Sequence, residues 1–237
     1  MPRLMLALII VISVIGSAVA FGQSERHTMY PKIERYLQQR TAEFSQISSE
    51  RRELLQDLAS YVAKRIDAGK PVRLNFICTH NSRRSHMSQI WAATAAAHFG
   101  IEDVHTYSGG TEWTAFNPRA VAAMQRVGFD VARTTDDDNP IYHVRFSGKA
   151  VPMTCFSKIF DGSPNPRTDF GAVMVCSSAD EDCPVVQGAD YRIGITYEDP
   201  KAFDGTSREA EAYDERCRQI SRELLYAFSV AQEMIGG

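Results

Sequence analysis

The sequence has little of what would build a fold by any means other than an apolar core. Its five cysteines are too few for a disulfide scaffold, and 15 Gly with 10 Pro exclude a collagen-like or low-complexity chain. An excess of one charge is missing as well. The 26 Lys and Arg nearly balance 29 Asp and Glu, for a net charge of −3, so nothing advertises a polyanionic partner such as nucleic acid and any basic site must be local. The apolar run from Leu4 to Ile15 falls short of the roughly 20 residues that span a bilayer. It follows Arg3 and leads to Ser17-Ala18-Val19-Ala20, with Ala18-x-Ala20 as a small-residue cleavage site. Residues 1–20 therefore read as a secretory signal peptide. The protein is expected to be exported, periplasmic or otherwise extracytoplasmic, and membrane-anchored only if that segment stays uncleaved.

What is there is ordinary globular material: 237 residues, 44% hydrophobic and 23% charged, enough for one generous domain or one domain with an appendage. Between Met29 and Ile66 apolar residues recur at offsets of three and four, with Ile33, Tyr36, Leu37, Phe44 and Ile47 followed by Leu54, Leu55, Leu58, Tyr61, Val62 and Ile66. That spacing predicts amphipathic helices, divided near Ser48-Ser49, in an N-terminal extension over residues 21–70. The mixed charges between the stripes read as a solvated face. Gly69 and Pro71 close the segment.

Chemistry begins at Val72–Ile77, a short β-branched and aromatic strand running directly into Cys78-Thr79-His80-Asn81-Ser82-Arg83-Arg84-Ser85. Behind it, His86 to Phe99 carries Met87, Ile90, Trp91, Thr94 and Ala97 at helical spacing and ends at Gly100. A loop curled between a strand and a helix N-terminus points successive N–H groups inward, so the amides of Thr79, His80, Asn81, Ser82, Arg83, Arg84 and Ser85 become candidate ligands of a tetrahedral oxyanion. Arg84 adds a planar two-toothed grip. In the same field the Cys78 thiol is expected to ionise below its free value of about 8.5 and serve as a nucleophile. Ser85 can hydrogen-bond the sulfur.

This loop, followed by Met87, resembles that of the low-molecular-weight protein tyrosine phosphatases and of their relatives, the thioredoxin-coupled arsenate reductases. Further matching segments follow in order: Tyr107-Ser108-Gly109-Gly110-Thr111, Asn117-Pro118-Arg119-Ala120, and Met124 through Gly128-Phe129-Asp130. The resemblance covers roughly residues 72 to 232 apart from one insertion. It implies an α/β fold with a four-stranded parallel sheet flanked by helices over residues 71–237, preceded by the N-terminal helical appendage.

The second half distinguishes the two relatives. The apolar strand Ala172–Val175 ends in Cys176-Ser177-Ser178-Ala179-Asp180-Glu181-Asp182-Cys183-Pro184. Two cysteines seven apart across a polar segment can be a closed disulfide loop, a metal pair or a redox pair, and the metal pair lacks both the Cys-x2-Cys spacing and a nearby His. Arsenate reductases carry such a pair here, and the phosphatases generally do not. Asp199, on a turn before Pro200, resembles the family's general acid. The last helix, Ser207 to Met234, places Tyr213, Cys217, Ile220, Leu224 and Phe228 along a core face.

Carried onto these residues, the resemblance implies a thiol relay. Cys78 attacks arsenic while the loop and Arg84 hold the oxyanion and Asp199 protonates the departing oxygen; Cys176 and then Cys183 carry the oxidation away. No bound cofactor or metal is implied, only an external dithiol such as thioredoxin. The alternative is a phosphatase, in which Cys78 forms a phosphoenzyme on a phosphomonoester. A third possibility is a non-catalytic oxyanion-binding module. Three positions depart from the pattern: His80 stands where Gly is usual, Arg83 where both relatives usually have Cys, and Gln89 where arsenate reductases often have an acid. Residues 136–170 are longer than expected, and loop statistics favour a surface excursion over a lid. Cys155, within it, can be a disulfide partner or a small buried hydrophobe. His86, His98, His105 and His143 show no metal-site spacing, and structural histidine is the default.

Overall fold

A computed structural model of the protein describes residues 28–183 and 185–237. The expected signal peptide over residues 1–20 lies outside the described residues. The two amphipathic stripes form α1 (Pro31–Thr41) and α2 (Ser49–Asp67). Ser48 divides them, its side chain accepting from the Arg51 amide at 3.3 Å as the α2 N-cap. After the Gly69 turn come β1 (Val72–Cys78), α3 (Arg84–Phe99), β2 (Val104–Gly110) and α4 (Pro118–Val127). Gly100 ends α3 in the left-handed region with φ 69°, and Asn117 caps α4 ahead of Pro118. The chain continues through β3 (Asp130–Arg133), β4 (Tyr142–Arg145), β5 (Met153–Cys155) and β6 (Phe170–Met174). The last elements are α5 (Ser177–Asp182), β7 (Ala189–Gly194) and α6 (Glu209–Gly236).

Four strands make one parallel sheet in the order β2-β1-β6-β7. The inner strands β1 and β6 are buried along nearly their whole length, as a parallel sheet covered by helices requires. Cys78 pairs in register with Gly110 at one side of β1, and Ile77 with Met174 at the other. The carboxyl ends of β1 and β6, where strand order reverses, are where an open α/β sheet leaves a crevice.

The N-terminal helices share the main core. Leu55, Leu58 and Val62 of α2 and Ile33 and Leu37 of α1 are buried in one cluster with Phe76, Trp91, Tyr213 and Leu224. Tyr36 stacks on Trp91 with ring centroids 5.4 Å apart, and Arg51 of α2 reaches Glu223 of α6 at 2.8 Å. Among the described residues no helix is long and apolar enough to cross a membrane.

The expectation of a surface excursion at 136–170 is overturned. This stretch supplies β4 and β5, which join β3 in a three-stranded antiparallel sheet. A strap then runs back against the main sheet, with Gly110 and Ile159 in a parallel bridge and the Asn75 side chain donating to the Phe160 carbonyl at 2.9 Å. Cys155 is fully buried as a free thiol, its proton held by burial up to a pKa of about 12. The stretch is tied to the domain, though still partly exposed, because its polar backbone finds partners there, which loop-length statistics do not weigh.

Candidate active site

The loop between β1 and α3 is fastened by its carbonyls. Cys78 O accepts from the Thr111 amide at 3.2 Å, Thr79 O from Glu112 at 2.8 Å and Ser82 O from Asn117 at 2.8 Å. His80 O accepts from the Thr114 and Ser157 hydroxyls at 3.1 and 3.0 Å. With the carbonyls turned outward, the amides of Thr79, His80, Asn81 and Ser82 find no acceptor among the described residues. Asn81 turns the chain in the left-handed region at φ 43°. Its side chain faces the protein rather than the pocket, accepting from the Lys158 amide and donating to Ser85 Oγ, both at 2.9 Å. Gly110 closes the back, where a Cβ would stand 2.6 Å from Thr79 O and 2.7 Å from the Asn81 amide.

Cys78 Sγ lies at the bottom, 3.1 Å from Ser85 Oγ. Because that oxygen already accepts from Asn81, its proton is free to point at the sulfur. Around the sulfur, His80, Ser82, Arg83, Arg84 and Asp199 line a narrow, closed-in cleft. His80 stands at the mouth, 3.6 Å from Glu112. His86, one turn behind the loop, is fully buried, stacked on Phe116 and 3.2 Å from the Phe156 carbonyl. Burial, aided by the charge of Lys158, pushes its pKa down to about 3, so it is a neutral structural histidine.

The two arginines do not face an open anion site. Arg84, expected to grip an oxyanion, donates to Asp199 Oδ2 at 2.9 Å and to the Tyr197 carbonyl at 2.8 Å. Arg83 holds the same carboxylate with two teeth, Nε to Oδ1 at 2.8 Å and Nη2 to Oδ2 at 3.1 Å. Burial works against the charge of Asp199, but the Arg83 hydrogen bond and both guanidinium charges outweigh it and keep the carboxyl below its ordinary value. The expected general acid is therefore an anion in this state.

Cys176 follows β6 and caps α5, its sulfur accepting from the Ala179 amide at 3.4 Å. It is buried and lies 3.5 Å from the Thr79 hydroxyl of the loop. Cys183 sits half-buried at the far end of α5, and both thiols are free. The six-residue helix between them, seven positions from Cys176 to Cys183, puts the two about 10 Å apart along its axis, beyond disulfide reach. Arg192 of β7, which carries no motif, ties the helix down through the Asp180 carbonyl and carboxylate at 2.7 and 2.6 Å and the Cys183 carbonyl at 3.0 Å. Gln89 is buried and donates to the Thr106 carbonyl at 3.2 Å. Among the described residues no group of three His, Cys, Asp or Glu side chains is arranged to hold a metal.

A parallel sheet with a cysteine at the end of its first strand, an amide-lined loop and an Arg on the following helix makes a candidate oxyanion site on an α/β fold. The family described as low molecular weight phosphotyrosine protein phosphatase matches residues 73–137. An arsenate reductase of Bacillus subtilis is 30% identical over 154 residues, covering 65% of this chain and 92% of that protein. The arsenate reductase of Bacillus licheniformis is 28% identical over 158 residues, covering 67% and 95%. A solved low-molecular-weight phosphotyrosine phosphatase of Vibrio cholerae aligns with a TM-score of 0.46 at 14% identity, covering 65% of this chain and 93% of that one. The chain belongs to the family that joins low-molecular-weight phosphatases and arsenate reductases.

Proposed function

We propose that this protein reduces arsenate to arsenite by a thiol relay. The observation that carries the reading is the seat of Cys176: it is buried at the end of the strand beside that of Cys78, with its sulfur 3.5 Å from the loop's Thr79, and a second thiol lies at the other end of α5. The Cys78 thiolate bonds to arsenic and an oxygen leaves as water, with loop amides and Arg84 holding the remaining oxygens. The proton for that water comes from Asp199 once it is protonated or from the arsenate itself. Cys176 thiolate then attacks Cys78 Sγ, and the electron pair of the S–As bond passes to arsenic, which departs as arsenite. Cys183 attacks Cys176 Sγ and releases the Cys78 thiolate, leaving a Cys176–Cys183 disulfide for an external dithiol of the thioredoxin kind. In the exported location that the N-terminal segment suggests, that electron donor has to be dedicated.

A second reading, a phosphatase acting on phosphomonoesters, is supported by the intact set of Cys78, Arg84 and Asp199, which suffices for a phosphocysteine intermediate. The same set argues against a non-catalytic oxyanion-binding module. The deciding experiment gives the full chain arsenate with a dithiol reductant and, separately, an aryl phosphate. Arsenite production lost in Cys78→Ser, Cys176→Ser and Cys183→Ser supports the relay. Aryl phosphate turnover lost only in Cys78→Ser, without arsenite production in the unaltered chain, replaces it with the phosphatase.

A further inference from the structure

Resting on the oxyanion-binding reading above, we infer that Asp199 occupies Arg84 as an internal stand-in for the substrate's oxygens, and that Arg83 is the positioning residue that retains this carboxylate when an oxyanion takes Arg84 over. Arg84 sits on the first turn of α3 beside the pocket, yet both of its terminal nitrogens are engaged, one by Asp199 Oδ2 and one by the Tyr197 carbonyl. A planar guanidinium meets two oxygens of a tetrahedral anion with the same edge it uses for a carboxylate. An incoming oxyanion therefore competes with Asp199 for Arg84. If the carboxylate had no other partner, releasing it would leave a partly buried charge unpaired, which is costly.

Arg83 removes that cost. Its Nε and Nη2 already span both oxygens of Asp199, and the Lys201 amide adds a bond to Oδ1 at 3.1 Å. Of the contacts of Asp199, only Arg84 to Oδ2 has to break for exchange to occur. Arg83 reaches Asp199 across 116 positions of sequence from the residue next to Arg84, so two neighbouring arginines take separate roles, one shared between carboxylate and oxyanion and the other kept on the carboxylate. A residue without a cation at position 83 leaves Asp199 with Arg84 as its one cationic partner, beside the Lys201 amide. That strengthens the internal competitor and weakens oxyanion binding.

The test is a double-mutant cycle read by inorganic phosphate as a non-reducible probe. Phosphate protection of Cys78 against iodoacetamide, followed by peptide mass spectrometry near neutral pH, gives an apparent Kd without requiring turnover. Asp199→Asn should tighten phosphate binding about tenfold, the size of one charge-assisted hydrogen bond. Arg83→Met should weaken it about tenfold in the otherwise unaltered protein, but by less than about twofold when Asp199→Asn is also present. Arg83→Lys, which keeps the charge without the two-toothed grip, should fall between, and it carries the comparison if Arg83→Met fails to fold. Equal weakening in both backgrounds would show that Arg83 only adds positive charge to the pocket, overturning its assigned role while leaving oxyanion binding intact. An Asp199→Asn protein that binds phosphate no tighter overturns the stand-in. Absence of any phosphate protection in the unaltered protein removes the underlying reading itself.

Discussion

The two cysteine-bearing segments at the carboxyl edge of the sheet are held in opposite ways. Residues 78–85 are fastened from every side: their carbonyls are bonded outward, Asn81 is pinned between Lys158 and Ser85, and Gly110 packs against the loop backbone. The α5 segment is a six-residue helix, too short to be stable by itself. Its anchors are the buried Ala179 and one partly exposed arginine, Arg192. The difference matches what the proposed relay asks of each sulfur. A nucleophile gains from being preorganised, whereas two thiols at opposite ends of a helix can join only if that helix unwinds. On the proposed relay, one sulfur stays and the others have to move.

The largest expected effects separate those roles. Cys78→Ser should lower both arsenite production and aryl phosphate turnover by at least about a thousandfold, because the nucleophile serves both reactions. Cys176→Ser should lower steady-state arsenite production by about a hundredfold or more and leave aryl phosphate turnover within about twofold. If Cys176→Ser lowers both rates alike, Cys176 belongs to the fixed loop and the contrast fails.

Smaller effects test the fastening. Gly110→Ala places a methyl group against the Thr79 carbonyl and the Asn81 amide, and overpacking against backbone should cost about 2 kcal/mol, read from urea unfolding. His86 reports on the same underside through pH. Its folded pKa of about 3 lies below the ordinary value near 6.5, so the unfolded chain binds a proton that the folded chain refuses. The stability it contributes is complete above pH 6.5 and is lost as pH falls toward 3, by up to about 1.4 kcal/mol per pH unit from this group. Unfolding free energies measured across that window should fall less steeply for His86→Gln than for the unaltered chain. Equal slopes would place the acid sensitivity elsewhere.

The sequence makes one of these two regions readable and only half of the other. The strand, the loop and the helix start are legible because Cys78 to Ser85 is contiguous, so a pattern of eight residues contains both the candidate nucleophile and the loop around it. The pair Cys176 and Cys183 is equally visible, but the helix between them is not, since its residues carry no apolar stripe of their own. What holds the loop is invisible for a different reason. The partners of His80 and Asn81, Ser157 and Lys158, lie 77 positions away in a stretch whose length suggests an excursion, and Arg83 meets Asp199 across 116. Local patterns encode elements, while pairings at such separations depend on how the elements pack. Arg83 stands out in the sequence as a departure from its relatives, yet only coordinates tie it to the carboxylate.

The finest test concerns the segment that the proposed relay requires to move. Arg192 closes the end of α5 through three hydrogen bonds, two to carbonyls and one to the Asp180 carboxylate. Both charged groups are partly exposed, so the ion pair itself is screened and contributes modestly. The bonds to the last carbonyls matter more, since those groups lack partners within the helix. Arg192→Met keeps the apolar stem and removes all three bonds. Loss of about 1 kcal/mol of local stability should raise the open population of α5 roughly fivefold. Native-state alkylation of Cys183 should quicken by about that factor, while Cys78 should react at an unchanged rate, because nothing in its loop contacts Arg192. Acceleration of Cys78 as well would mean that the two regions open as one unit. An unchanged Cys183 rate would mean that α5 is held by something other than its arginine, and the asymmetry between a fixed and a releasable sulfur would have to be rebuilt on other contacts.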